Sequence, residues 1–105
     1  MHPRDIFTLN EMQAIKRCIA LSIEDDLIFP NWEFQILTGA SLEEARSTLN
    51  QWPDVELTKE SVRLTVRGIL VNLLGYPHGK ESLILSETGL KLDDIERLFA
   101  QLPKE

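Results

Sequence analysis

The sequence predicts an all-α fold: a single compact domain of about six helices, built from two three-helix repeats related by a pseudo-twofold. Three observations predict it. The chain echoes itself at an offset of fifty positions, so that Thr8, Thr38, Gly39, Leu42, Gln51 and Pro53 meet Thr58, Thr88, Gly89, Leu92, Gln101 and Pro103. Such self-similarity fixes architecture before single elements are assigned. Helix-start and helix-stop signals recur inside each repeat, and the apolar residues between them fall at helical spacing. No alternating run flanked by a hairpin turn competes with these helices. One domain is expected over residues 1–105, with repeat unit one at about 5–54 and unit two at about 55–105.

The first helix of unit one starts at Thr8. Thr8-Leu9-Asn10-Glu11 is a capping box, and Phe7 with Met12 can staple it. Met12, Ile15, Ile19 and Ile23 then mark one face, giving a helix over Leu9–Ile23. Unit two repeats the cap at Thr58 and the staple at Leu57 and Val62, but Ser61 stands where the box wants Glu or Gln. Its helix, Lys59–Leu74, carries Val62, Val66, Ile69, Leu70, Val71, Leu73 and Leu74. That stripe is too wide for a surface helix, so this helix belongs at the centre of the domain or at a subunit interface.

Second helices follow at roughly Asn31–Thr38 and Lys80–Thr88. Gly39 and Gly89 come directly after, where a left-handed cap is needed. The third helices start at once. Ser41-Leu42-Glu43-Glu44 is a second capping box. Its counterpart opens on Lys91, a poor cap, with Asp93 and Asp94 suited to a helix N-terminus by charge. Leu42, Ala45, Leu49 and Trp52 form one buried stripe, and Leu92, Ile95, Leu98, Phe99 and Leu102 the other. Pro53 and Pro103 stop the helices.

Composition excludes more than it assigns. At 105 residues the chain can form one real core without disulfides or metals. A single cysteine, Cys18, rules out an intrachain disulfide and suits a reducing, cytoplasmic setting. The N-terminal residues do not read as a signal peptide. The longest apolar stretch, Gly68 to Leu74, is broken by Asn72 and is too short for a membrane span. Net charge is −6, with residues 1–54 holding about −5 of it. An acidic chain repels phosphate at long range.

The segment Ser82–Leu98 resembles a helix-turn-helix of the bacterial repressor type. Gly89 stands in the turn, Leu90 follows it, and Ile95 and Leu98 take the next two apolar places. Leu85 stands where that superfamily places a small residue. Unit one carries a looser version with Gly39, Ala40, Ala45 and Thr48. The resemblance implies a DNA-reading helix after the glycine. Its basic residues would be Lys91 and Arg97, helped by Arg63 and Arg67. Asp93 and Asp94 there, and Glu43 and Glu44 in unit one, would face phosphates without a compensating basic run.

Catalytic and metal constellations are missing from the sequence. His2 and His78 share no helix, and Cys18 has no partner at metal-ligand spacing, so neither metal nor cofactor is expected. Cys18 falls beside the Ile15–Ile19 face and reads as a buried, inert thiol. Glu24-Asp25-Asp26 reads as a solvated helix end rather than a cation site, since calcium-loop spacing is absent. Gly79-Lys80 lacks the remainder of a phosphate loop. Trp32 breaks the repeat, because its counterpart is Ser82. With Phe29 it is either a plug over the short second helix or an anchor for a partner.

The leading expectation is therefore a non-enzymatic interaction or regulatory module that binds a protein partner or itself. Phe29, Trp32, Leu70 and Val71 are its candidate contact residues. The second is a DNA-binding regulator using Arg63, Arg67, Lys91 and Arg97. The third is a small enzyme using His78.

Overall fold

The computed structural model describes residues 1–104. Its α-helices are α1 (Leu9–Ser22), α2 (Asn31–Thr38), α3 (Leu42–Gln51), α4 (Glu60–Gly75), α5 (Glu81–Thr88) and α6 (Leu92–Gln101). A single 3-10 turn, Pro3–Asp5, precedes them, and no strand occurs among the described residues. The radius of gyration, 12.2 Å, is close to the roughly 13 Å of a compact domain of about a hundred residues.

The local signals act as their chemistry dictates. Thr8 Oγ1 accepts the Glu11 N–H at 3.2 Å, while Glu11 Oε1 accepts the Thr8 N–H at 2.8 Å. Ser41 and Glu44 make the same reciprocal pair at 3.0 and 2.9 Å. At α6 only half of the box forms. The Asp94 carboxylate accepts the Lys91 N–H at 3.0 Å, and lysine has no acceptor to return.

Both corner glycines take the left-handed conformation, at φ 84° for Gly39 and 75° for Gly89. The preceding threonines complete each corner. Thr38 Oγ1 donates to the Phe34 carbonyl and accepts the Ala40 N–H. Thr88 Oγ1 does the same with Ile84 and Leu90. The paired threonines are thus hydrogen-bonding parts of the corner, a role that the letter match alone did not assign.

The expected cap of α4 does not form. Thr58 instead donates its hydroxyl and its N–H to the Glu56 carboxylate, at 2.7 and 3.2 Å. That carboxylate also pairs with the N-terminal ammonium. The ammonium first, and then Thr58, hold its carboxyl down to about 2. With its hydroxyl engaged there, Thr58 does not cap. α4 begins one residue later than expected, with no side-chain cap at Lys59. α5 likewise begins at Glu81, after Lys80.

α4 is the central helix. It packs against α1, α2, α3 and α6, and Val62, Thr65, Val66, Gly68, Ile69, Leu70 and Leu73 are buried along it. Each short second helix lies on the other unit's long helix, α2 on α4 and α5 on α1. The third helices are unequal. α3 packs on both α1 and α4, whereas α6 lies mainly on α4. The α2–α4 contact is very close: a Cβ on Gly68 would stand 2.7 Å from Thr38 Cα. Among the described residues, no buried side-chain polar atom lacks a hydrogen-bond partner.

Candidate functional site

α2 is held firmly from behind and left bare in front. Its N-terminus is tied to the acidic connector. Asp26 Oδ1 accepts the Asn31 N–H at 2.6 Å, and Asp25 Oδ1 accepts from Asn31 Nδ2 at 2.9 Å. Asp26 adopts φ 50°, a left-handed conformation that aspartate tolerates better than most residues. These carboxylates therefore do more than end α1. Asp26 accepts the first backbone N–H of the next helix, and the negative charge of both suits the macrodipole there.

The inner side of α2 is strapped to α4. Asn72 Nδ2 donates to the Leu37 carbonyl at 2.9 Å. The Tyr76 hydroxyl donates to Glu33 Oε2 at 2.9 Å, and this bond pushes the tyrosine's own ionisation up. Phe34 is buried on this side, and Leu37 packs against the same core. Phe29 sits beneath the connector with its ring edge-on to Tyr76, centroids 5.5 Å apart.

The outer side carries Trp32 and Ile36, one turn apart, 74% and 77% exposed. Trp32 is thus not a plug, because the core beneath α2 is already filled by Phe29 and Phe34. Two other candidate contact residues lie in the core. Phe29 is 1% exposed and Leu70 is 0% exposed, so neither can reach a partner of the folded chain. Leu70 faces into the helices around α4, while Val71, the next residue, is 44% exposed. Ile36 was not singled out from the sequence. Its spacing from Trp32 was the available signal.

The four basic candidates do not form a free basic face. The Arg67 guanidinium lies over the Phe99 ring, 4.6 Å from its centroid, and Nη1 reaches the Pro103 carbonyl at 3.5 Å. Arg97 pairs with Asp94. Arg63 is half-buried, and Lys91 is exposed at the start of α6.

His78 is held by the backbone at both ring nitrogens. Nδ1 accepts the Lys80 N–H at 2.9 Å, which leaves Nε2 protonated and donating to the Leu73 carbonyl at 2.8 Å. In this arrangement it clamps the turn between α4 and α5. Among the described residues, no group of three His, Cys, Asp or Glu is placed to hold a metal ion. No described helix is long and apolar enough to cross a membrane.

Cys18 is buried, and burial pushes its thiol up to about 12. Thiolate is therefore scarce at pH 8, and a thiol-reactive disulfide reagent should label native protein at least about a hundredfold more slowly than urea-unfolded protein. Equal rates would mean that α1 opens readily.

Compared with models of known protein families, with curated proteins and with solved structures, the chain matches none.

Proposed function

We propose that this chain is a non-enzymatic interaction module whose outer α2 face, Trp32 and Ile36, binds a protein partner. One observation carries the reading: two large apolar side chains, a turn apart, project from a helix whose other side is strapped down. Single exposed apolar residues are ordinary, but a tryptophan beside a second apolar group on a rigid element is the usual composition of a binding hot spot. Burying Trp32 alone would contribute about 4 kcal/mol, from roughly 150 Å² of newly covered surface at about 25 cal/mol per Å². Because the helix is already ordered, docking costs it little further backbone entropy. Val71 is the remaining exposed candidate on α4 and lies outside this pair.

The test is a photo-crosslinking amino acid in place of Ile36, in the cells that make the protein. A covalent adduct with a defined polypeptide, lost on Trp32→Ala, is the expected result. Trp32→Ala should leave stability within about 0.5 kcal/mol, as for other surface changes. No adduct, or one unaffected by Trp32→Ala, would overturn the reading. So would a low-salt mobility shift with duplex DNA that Lys91→Ala and Arg97→Ala abolish, because the acting surface would then be the helix-turn-helix corner.

A further inference from the structure

The charge of the chain is not spread over its surface. From Cys18 to Ala45 there is no lysine or arginine, and there are six carboxylates: Glu24, Asp25, Asp26, Glu33, Glu43 and Glu44. The rest of the chain holds eleven acids and eleven bases, so this one segment carries the whole net charge of −6. It is also the segment that bears Trp32 and Ile36. Among the described residues, the ion pairs are Met1–Glu56, Arg4–Asp54 and Arg97–Asp94, and none involves the six.

Their placement frames α2. Asp25 and Asp26 are fixed at its N-terminus by Asn31. Glu33 follows Trp32 directly and is fixed by Tyr76. Glu43 and Glu44 open α3, just past the Gly39 corner. An eight-residue helix is only about 12 Å long, so every point on it lies within roughly one Debye length of an end at physiological salt. The apolar pair therefore sits among carboxylates that form no ion pair among the described residues, with Arg17 and Arg46 just outside the two ends of the segment.

We infer that the segment docking on Trp32 and Ile36 is a basic amphipathic helix, with apolar residues at helical spacing and lysines or arginines flanking them. This rests on the reading of α2's outer face as a docking surface. A helix suits the face because Trp32 and Ile36 form an i, i+4 ridge, which packs into the grooves of another helix. The flanking positive charge suits the acids at both ends of α2 and speeds encounter. A second copy of this chain would bring two such acidic segments together and is disfavoured by like charge. Anionic lipid is disfavoured for the same reason.

The test uses the full chain and two synthetic helical peptides about eighteen residues long, one of leucine and lysine, one of leucine and glutamate in the same pattern. Tryptophan emission reports binding at α2, since Trp32 is exposed while Trp52 is buried with Nε1 bonded to the Met12 carbonyl. The lysine peptide should shift the emission to the blue and bind in the micromolar range. Its affinity should fall about tenfold between roughly 50 mM and 300 mM salt. Ile36→Ser should weaken it about tenfold. Glu24→Lys combined with Glu43→Lys should weaken it and flatten the salt dependence. Among the described residues neither carboxylate is hydrogen-bonded to another side chain, so the fold should be kept, as far-ultraviolet circular dichroism will check.

Equal binding of the glutamate peptide, or binding of the lysine peptide that ignores Ile36→Ser, would overturn the basic-helix inference. A dimer that Ile36→Ser dissociates would overturn it in favour of a second copy, leaving the docking face intact. If the Ile36 crosslinker gives a Trp32-dependent adduct while neither peptide binds, the inference fails and the interaction reading stands. If the adduct is missing too, both fail.

Discussion

Leu70→Glu should leave the chain largely unfolded at pH 7 and 25 °C, whereas Val71→Glu, one residue on, should fold like the parent. The two positions carry similar side chains on one helix, but Leu70 has no exposed surface and Val71 is 44% exposed. A glutamate forced into the Leu70 site cannot remain ionised there. Keeping it neutral at pH 7 against an ordinary value near 4.3 costs about 4 kcal/mol, at roughly 1.4 kcal/mol per pH unit. Losing the buried leucine adds about 2 kcal/mol. Together these approach the total stability of an ordinary domain, about 5–15 kcal/mol. The pH dependence has a definite sign. The unfolded glutamate ionises near 4.3 and the buried one well above that. The deficit therefore grows as pH rises from 4.3 and shrinks on acidification toward it, by about 3 kcal/mol between pH 7 and pH 5. Urea melts followed by circular dichroism at the two pH values measure this. A Leu70→Glu protein as stable as Val71→Glu would mean that α4 is not the central helix.

The contrast between these neighbours also marks where sequence reading stops. The boxes at Thr8 and Ser41 and the corners at Gly39 and Gly89 depend on residues within four positions of one another, so their chemistry is legible locally. Which side of a helix faces the core is a tertiary matter. α4 is apolar on most of its circumference, and periodicity could not separate Leu70 from Val71. α2 is worse, because its eight residues include Trp32, Phe34, Ile36 and Leu37. What turns Phe34 inward and Trp32 outward is the hold of Asn72 and Tyr76 on Leu37 and Glu33, thirty-five and forty-three positions apart in the chain. The acidic block is local in sequence, although the net charge of either half of the chain does not reveal it. A window spanning Cys18 to Ala45 isolates it and places Trp32 and Ile36 inside it. Thr58 failed as a cap for a similar reason: its competitor, Glu56, lies outside the capping pattern.

Gly68→Ala should destabilise the domain by about 2 kcal/mol, although alanine is the better helix former. In the interior of α4, exchanging glycine for alanine would ordinarily gain about 1 kcal/mol. Here the new methyl would stand 2.7 Å from both Thr38 Cα and Thr38 Cβ and 2.8 Å from the Thr38 carbonyl oxygen. Two of those atoms are backbone, so no side-chain rotation relieves the clash and α2 must move off α4. Overpacking of this kind costs about 3 kcal/mol at the upper end of its usual range, which outweighs the helix-propensity gain. The displaced element is the α2 terminus that carries Thr38 and the Gly39 corner, so the cost should be accompanied by faster amide exchange at Ala40, whose N–H bonds Thr38 Oγ1. Gly75→Ala supplies the control, because a Cβ there meets nothing within 4 Å. It should be neutral or stabilise by up to about 1 kcal/mol. The expected loss for Gly68→Ala corresponds to a fall in Tm of roughly 8–16 °C for a domain near a hundred residues. Equal melting of the two variants would show that α2 is not seated on α4 at Gly68, and the outward setting of Trp32 and Ile36 would lose its support. A lowered Tm for Gly68→Ala alone, with weaker Trp32-dependent crosslinking, would tie the seating of α2 to the face it presents.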